Sequence, residues 1–186
     1  MSGCNLDPVP AAKIIPLRFI WEKTFLMAHD TLLNEKIHLI KHSQGAPWLR
    51  LFGIGPSFLP VKGIEQLQKL FNENTFWAKN RSTKKIKRML ANSDSVVSMW
   101  KNQTLIGFGR ATSDKSFRCV LWDIVISEDY QSNGLGKTLI ESLLNSKEIR
   151  GVEKIYLMTT NCKDFYKSSN FIEVENQFLL ILSTRE

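Results

Sequence analysis

No stretch of the 186-residue chain is apolar for long enough to cross a membrane. A membrane-spanning helix needs about 20 consecutive apolar residues, and every apolar run here is shorter, so no membrane partner is expected. Histidine is also scarce, because the chain has only three, all before residue 43. His38 and His42 have the spacing of two metal ligands on one helix, but isolated histidines of this kind are usually packing or surface residues. No metal site is predicted.

The first residues lack the composition of a targeting peptide. Asp7, Glu22 and Asp30 interrupt the N-terminal region and serine is scarce there, whereas transit peptides are rich in serine and poor in acidic residues. The length suits one domain with its own hydrophobic core. We therefore expect a soluble cytoplasmic protein.

The charge balance is basic, with a net charge of +7 and an isoelectric point near 9.4, so the surface should attract anions. Six of the basic residues fall within ten positions. They are Lys79, Arg81, Lys84, Lys85, Lys87 and Arg88. No aromatic residue is interleaved among them, as single-stranded nucleic-acid surfaces require. A solvated helix face is the favoured interpretation, a dedicated nucleic-acid surface is not expected, and contact with an acidic partner or a phosphate group stays open.

The most informative stretch runs from Leu121 to Ser146. It opens with the apolar, β-branched run 121–126, which predicts a buried strand, and closes with leucines and isoleucines at helical spacing. Between them lies the sequence QSNGLG at 131–136, where glycine lets the backbone turn sharply. The first amides of a helix lack intrahelical partners and carry the positive end of its dipole. Strand, glycine turn and helix start therefore predict a phosphate or pyrophosphate site.

Two kinds of phosphate loop compete for this segment. Residues 136–138 end like a P-loop, but that motif requires a glycine five positions before Gly136, where Gln131 stands. The segment instead resembles the Gln/Arg-x-x-Gly-x-Gly/Ala loop of the GNAT superfamily of N-acetyltransferases, which Gln131, Gly134 and Gly136 match in register. A turn shaped by glycine without any ligand is the competing interpretation.

A second motif lies downstream at the spacing of the same superfamily. Residues 164–171, DFYKSSNF, resemble its Phe-Tyr-x-x-x-Gly-Phe signature, with Asn170 in place of the usual glycine. Asparagine tolerates the left-handed backbone conformation better than most residues, so the turn should survive. Three further segments resemble the cyanobacterial and chloroplast branch of the superfamily. They are IGFGRATSD at 106–114, LWDIV at 121–125 and YQ at 130–131. That branch includes serotonin (arylalkylamine) N-acetyltransferases and plastid lysine and N-terminal acetyltransferases.

The resemblance covers residues 60–182 and implies an activity. It implies an enzyme that transfers acetyl from acetyl-CoA to a primary amine, by direct attack in a ternary complex and without a metal. The acceptor is either a small arylalkylamine such as serotonin or a protein lysine or N-terminus. Two other functions stay open: a catalytically silent CoA-binding regulatory domain, and a basic nucleic-acid-binding domain.

The resemblance also implies roles for individual residues. The pyrophosphate should be held by Gln131, Ser132, Asn133, Gly134, Leu135, Gly136 and Lys137. Backbone amides of Ile124, Val125 and Ile126 should face the coenzyme, with Val125 or a neighbour bound to the thioester oxygen. Tyr166 corresponds to the general acid that protonates the leaving thiolate, and Asn161 to a polar residue that bonds the pantetheine arm.

Asp123 is the candidate general base. It interrupts an apolar strand, where a carboxylate is costly to bury unless it is paired or does chemistry. The alternative is a structural carboxylate paired with Arg110 on the adjacent strand. Specificity for the acceptor is expected from residues 71–88, and Trp77, Trp100 and Trp122 could wall an aromatic-amine pocket or serve as core residues.

The expected architecture is α+β and GNAT-like: a mixed, mostly antiparallel sheet flanked by helices, with splayed central strands. Residues 1–47 are predicted to be an N-terminal extension of uncertain structure, and residues 48–186 the acetyltransferase domain. The extension is a candidate for covering the acceptor groove or for forming a homodimer. Strands are predicted at 37–40, 48–54, 95–101, 104–113, 117–127, 153–160, 171–175 and 178–183, and helices at 61–72, 79–90, after Gly134 and around Tyr166.

Overall fold

The computed structural model describes residues 36–182, in which a five-stranded sheet is flanked by helices. In chain order the elements are β1 (Ile37–His42), α1 (Pro47–Phe52), α2 (Gly63–Asn74), α3 (Thr83–Ala91), β2 (Ser95–Lys101), β3 (Thr104–Ser113), β4 (Arg118–Ile126), α4 (Leu135–Leu144), β5 (Lys154–Tyr156) and α5 (Lys163–Lys167). The strands follow one another across the sheet in sequence order, antiparallel from β1 to β4, while β5 runs parallel to β4. The predicted mixed, mostly antiparallel α+β fold is confirmed.

The sheet separates two hydrophobic cores, because successive side chains of a strand point to opposite faces. One core joins α1, α2 and α3 to the sheet and contains Leu49, Leu67, Phe71, Leu90, Trp100, Phe108 and Val125. The other joins α4 to the opposite face and contains Val97, Met99, Ile106, Ile126, Leu139, Ile140 and Leu143. The connection between α2 and α3 and the start of α4 therefore belong to opposite faces of the sheet.

The meander of β2 and β3 has the bounds that the sequence predicts. A two-residue turn joins these strands, and its first residue, Asn102, has a φ of 54°. Asparagine is favoured in such hairpin turns because it tolerates positive φ. Local turn chemistry and the apolar runs on either side agree, which explains why this part was predictable.

Residues 47–52 form a helix, and Ile54 makes only an isolated bridge with Pro60, so the prediction of a first strand at 48–54 is wrong. Helix α1 has Pro47 in its first turn and Gly53 at its C-cap with a φ of 62°, the usual positions of these residues in a helix. Only Leu49 is buried, while Trp48, Leu51 and Phe52 are exposed. A short apolar run does not distinguish a helix from a strand by its period.

The predicted C-terminal strand pair is also wrong over the residues that the structure describes. Residues 171–182 contain no strand, and the side chains of Phe178 and Leu180 are 88% and 89% exposed. The predicted strand 153–160 is limited to Lys154–Tyr156. Apolar, β-branched residues favour a strand only where a neighbouring strand is available to pair with.

The sheet begins before the expected domain boundary at residue 48. Strand β1 pairs with β2 along its whole length, from Ile37 opposite Lys101 to His42 opposite Val96. Residues 37–42 are therefore part of the sheet, although the sequence analysis assigned them to an N-terminal extension. The rest of that extension, residues 1–35, lies outside the described residues. Between residues 36 and 182, no helix has the length and apolar character that a membrane span requires.

Candidate active site

Strands β4 and β5 separate along their length. They pair only from Arg118 opposite Lys154 to Val120 opposite Tyr156. Strand β4 continues to Ile126, whereas residues 157–160 are not in a strand. Over its second half β4 therefore has one edge bonded to β3 and one edge open, which confirms the predicted splay.

The backbone of β4 presents specific amides to this open edge. The amide of Ser127 donates to the carbonyl oxygen of Ile106 on the side of β3, over 2.7 Å. Successive amides of a strand point in opposite directions, so the amide of Val125 also faces β3 and those of Ile124 and Ile126 face the open edge. The side chains support this alternation, since Val125 packs in one core and Ile126 in the other. Of the amides predicted to bind the thioester oxygen, Val125 or a neighbour, that of Val125 is therefore directed towards β3 and those of its neighbours towards the open edge.

A β-bulge interrupts β4 just before these amides. Phe108 lies opposite Val125 but Arg110 lies opposite Trp122, so Asp123 and Ile124 share one partner, Gly109. Asp123 adopts a φ of 51° to accommodate the extra residue.

The carboxylate of Asp123 is buried and held by two arginines. Its side chain is 4% exposed, and its two oxygens accept hydrogen bonds from Arg110 Nε at 2.7 Å and from Arg81 Nη1 at 2.9 Å. Each guanidinium also lies over an aromatic ring: Arg110 over Trp122 and Arg81 over Phe71. Each oxygen thus already accepts a hydrogen bond from a guanidinium, which fixes the carboxylate between two cations. This geometry favours the structural alternative over the role of general base.

The glycine loop and the start of α4 have the backbone geometry expected of the predicted anion site. Gly134 has a φ of 73°, with open space where a Cβ would stand, and α4 begins at Leu135. The carbonyl of Gly134 accepts from the amide of Thr138, so the amides of residues 135–137 precede the first intrahelical bond. The Gln131 side chain donates to the carbonyl of Ile126 over 3.0 Å and thereby ties the loop to the end of β4.

Tyr166 lies on the short helix α5 in an aromatic cluster. Its ring makes edge contacts with Phe165 at 5.0 Å and with Phe171 at 6.0 Å between centroids. Burial raises the pKa of Tyr166 to about 12. The following turn is closed by Asn170 with a φ of 66°, and the amide of Phe171 donates to the carbonyl of Tyr166. The expectation that Asn170 can replace the usual glycine is confirmed.

A cavity of about 680 Å³ brings these elements together. The predicted site residues that line it are Asp123, Ile124, Val125, Ile126, Gln131, Gly136, Asn161 and Tyr166. The other predicted residues, Ser132, Asn133, Gly134, Leu135 and Lys137, surround the start of α4 and do not line this cavity. One open strand edge, one helix N-terminus and one tyrosine thus meet at a single space.

Another part of the cavity wall is formed by residues that sequence reasoning did not single out for catalysis. The connection between α2 and α3 contributes Phe76, Trp77 and Lys79, and acidic side chains come from Glu73 and Glu128. Phe76 and Trp77 are 66% and 50% exposed and contact each other edge to face. Two adjacent exposed aromatic residues inside the predicted specificity region were the available signal.

The three candidate pocket tryptophans have different positions. Trp77 and Trp122 line the cavity, while Trp100 is fully buried in the core and donates its indole N–H to Ser98 Oγ. The pocket role therefore does not apply to Trp100. In the part of the chain that the structure covers, no three His, Cys, Asp or Glu residues are grouped as a metal site would require.

Comparisons with known proteins agree with this geometry. The profile of the Acetyltransferase (GNAT) family matches residues 64–171. The chain is 34% identical over 143 residues to the uncharacterized N-acetyltransferase ycf52 of Gracilaria tenuistipitata var. liui, which covers 74% of this chain and 76% of that protein. It is 31% identical to the chloroplastic GCN5-related N-acetyltransferase 1 of Arabidopsis thaliana, over 59% of this chain and 56% of that one.

Solved structures with a similar fold belong to the same family. A GNAT family acetyltransferase of Streptococcus pneumoniae TIGR4 superposes with a TM-score of 0.61 at 17% identity, over 81% of this chain and all of the other. Identity this low supports the fold alone. Together with the family profile, which matches more than half of the chain, these comparisons establish that the protein belongs to the GNAT family of acetyltransferases, within the cyanobacterial and chloroplast branch.

Proposed function

We propose that this N-acetyltransferase uses acetyl-CoA to acetylate the primary amine of a small arylalkylamine. One observation carries the proposal: part of the wall of a single cavity consists of backbone amides and a tyrosine, and another part consists of aromatic and acidic side chains. The first part suits an acyl donor that carries phosphates, and the second suits an aromatic amine. Direct attack then requires only that both ligands occupy the cavity together.

The residues present fit acetyl-CoA, which when bound supplies an activated acetyl thioester. The amides of residues 135–137 at the start of α4 are free to bind the pyrophosphate, and the exposed side chain of Lys137 adds positive charge there. Asn161 lines the cavity between this loop and Tyr166 and can bond the pantetheine amides. The amide of Ile126 at the open edge can donate to the thioester oxygen and stabilise the negative charge that develops on it.

Two proton transfers complete the reaction. Tyr166 stays protonated at neutral pH, because burial raises its pKa to about 12, and it can donate its proton to the departing sulfur. For the proton of the amine we favour Glu128, an exposed carboxylate on the cavity wall. It stands two residues after Ile126, so its Cα lies within about 7 Å of that residue. Asp123 is the less favoured base, because each of its oxygens already accepts a hydrogen bond from an arginine.

The acceptor side suits a flat aromatic group joined to an ammonium. Phe76, Trp77 and Trp122 offer ring faces and edges, and such contacts are worth about 1 kcal/mol each beyond the area they bury. Glu73 and Glu128 place negative charge in the same cavity, where it would attract the ammonium before deprotonation. A protein lysine also carries an ammonium but has no ring for this aromatic wall.

The proposal is tested by the release of free CoA thiol from acetyl-CoA in the presence of serotonin, tryptamine, spermidine or a lysine-containing peptide. We expect saturable release with the two aromatic amines and weaker release with spermidine and the peptide. Preference for the peptide would overturn the acceptor class and leave the enzyme class standing. A coenzyme-induced rise in melting temperature without release from any amine would identify a CoA-binding regulatory domain.

The proposed base has a matched control in its neighbour. Glu128→Gln should remove the acidic limb of the pH–rate profile, while Asp129→Asn should retain it, because Asp129 is equally exposed but does not line the cavity. Loss of that limb in Asp123→Asn, with Glu128→Gln unaffected, would return the role of base to Asp123.

The cytoplasm is the proposed location, and the chloroplastic relative makes the plastid its competitor. Fractionation of the source cells with an antibody against the protein separates the two: a plastid signal alone would overturn the cytoplasmic assignment.

A further inference from the structure

The connection between α2 and α3, here called the acceptor loop (residues 75–82), is pinned at both ends to the region of β4. Just before the loop, Asn74 Oδ1 accepts a hydrogen bond from the amide of Glu128 over 2.8 Å. Near its end, Arg81 pairs with Asp123 over 2.9 Å. The segment 123–128 between these two anchors includes the end of β4, with the amides that face the open edge. Phe76, Trp77 and Lys79 lie between the anchors and line the cavity.

The other hydrogen bonds that the structure describes for the acceptor loop reach α2, α3 or the loop itself, and none of them reaches the sheet. Thr75 Oγ1 donates to the carbonyl of Phe71, the amide of Asn80 donates to Asn72 Oδ1, and Gln68 Nε2 donates to the carbonyl of Arg81. Among the contacts of residues 75–82 that the structure describes, the pair of Arg81 and Asp123 is thus the ion pair that joins the loop to the sheet.

Asp123 is well fixed for such an anchoring role. The bulge turns its carboxylate out of the strand, and Arg110 on the adjacent strand holds the second oxygen at 2.7 Å, so the group cannot rotate without breaking an ion pair. Buried, charge-assisted hydrogen bonds of this kind are geometrically specific. The cation of Arg81 is in turn steered by the ring of Phe71, whose centroid lies 5.4 Å away, and by Met89.

We propose that Asp123 is a positioning residue which, through Arg81, holds the acceptor loop over the cavity and thereby sets the affinity for the amine. The part that concerns affinity rests on the proposed function, because it takes the loop to be the acceptor side. The part that concerns loop order does not, and the two parts have separate readouts.

Loop order is measured by hydrogen–deuterium exchange of the full-length protein. Arg81→Met removes the cation but keeps an apolar stem beside Phe71 and Met89, and the side chain is partly exposed, so the variant should fold. We expect exchange to rise about tenfold in peptides that cover residues 75–82, with no change in peptides that cover 131–140. Arg88→Met is the matched control, since it removes an exposed arginine from the same region and should change neither peptide.

The kinetic readout separates positioning from acid–base catalysis. Arg81→Met should raise the KM for tryptamine about tenfold while the KM for acetyl-CoA and the kcat at saturating amine change by less than about threefold. Asp123→Asn should act in the same direction and keep the acidic limb of the pH–rate profile. The double variant should be no worse than Asp123→Asn alone, because both changes break one interaction.

Two results would overturn the inference. Unchanged exchange over residues 75–82 in Arg81→Met would show that the pair does not hold the loop, whatever the activity of the enzyme. Loss of the acidic limb in Asp123→Asn, with a normal KM in Arg81→Met, would show that Asp123 acts on the proton. Absence of turnover with every amine in the wild type is a different result: it contradicts the proposed function and leaves the exchange experiment to decide on loop order.

Discussion

The two sides of the cavity are built on different principles. The proposed coenzyme side consists mainly of backbone groups: the open edge of β4, the glycine loop and the first amides of α4. The acceptor side consists of side chains, with Phe76, Trp77 and Trp122 as its aromatic wall. The first side depends on the path of the chain, and the second on which residues stand on it.

This difference predicts which side depends on the identity of its side chains. A backbone amide binds the same ligand group whatever side chain its residue carries, so the coenzyme side needs only glycines and strand geometry. The acceptor side is held in place by ion pairs between residues far apart in sequence, such as Arg81 and Asp123. Changes there should alter the amine that is accepted without altering the donor. Four predictions test this division, from the largest expected effect to the smallest.

Tyr166 lines the cavity that both sides share, so its loss should lower the rate of acetyl transfer rather than the affinity for either substrate. Tyr166→Phe should lower kcat by about ten- to a thousandfold, the range for loss of a general acid, and leave the Kd for acetyl-CoA unchanged. Tyr156→Phe, a change of the same size in β5, is the control and should leave kcat unaltered. Steady-state kinetics and titration calorimetry give both quantities, and an unchanged kcat would remove Tyr166 from the mechanism.

A change confined to the coenzyme side should weaken only the binding of acetyl-CoA. Gly134→Val places a β-branched residue at a φ of 73°, where such residues are strained by about 1–2 kcal/mol, and should raise the Kd for acetyl-CoA about tenfold. Gly151→Val is the matched control, because Gly151 also has positive φ, at 90°, with open space around it. Both variants should lose similar stability in thermal unfolding. An equal loss of coenzyme affinity in both would contradict a specific role for the loop.

A change confined to the acceptor side should weaken only the binding of the amine. Trp77→Ala should raise the KM for tryptamine about fivefold, the effect of losing one aromatic contact, and spare the Kd for acetyl-CoA. Trp48→Ala is the control, since Trp48 is similarly exposed, at 55% against 50%, but lies on α1 away from the cavity. If acetyl-CoA affinity falls in parallel with that for tryptamine, the division between the two sides is wrong.

The smallest effect concerns pH. Because burial raises the pKa of Tyr166 to about 12, the hydroxyl keeps its proton well above the pH at which an ordinary tyrosine ionises, near 10. The kcat of the wild type, measured with saturating substrates, should therefore change by less than about twofold between pH 9 and 10.5. A steep alkaline limb in this range that disappears in Tyr166→Phe would show that the tyrosine ionises at its ordinary pKa.

Sequence reasoning succeeded where the determinants are local. The loop 131–136, the helix after it, the hairpin of β2 and β3 and the turn at Asn170 each depend on residues within one short segment, whose φ preferences and apolar periods are visible in the sequence. It failed where local patterns were ambiguous. The helix α1 has an apolar run as short as a strand, and residues 171–182 have strand-forming composition without a paired neighbour.

The sequence alone determined the family, the α+β class, the glycine turn that precedes α4 and the place of Tyr166 on a short helix, because each depends on residues that are contiguous in the chain. Only the tertiary structure decided the partners of Asp123, the exclusion of Trp100 from the pocket and the direction of the Ile126 amide. These properties depend on which distant residues a fold brings within about 3 Å, and on which face of the sheet each residue lies.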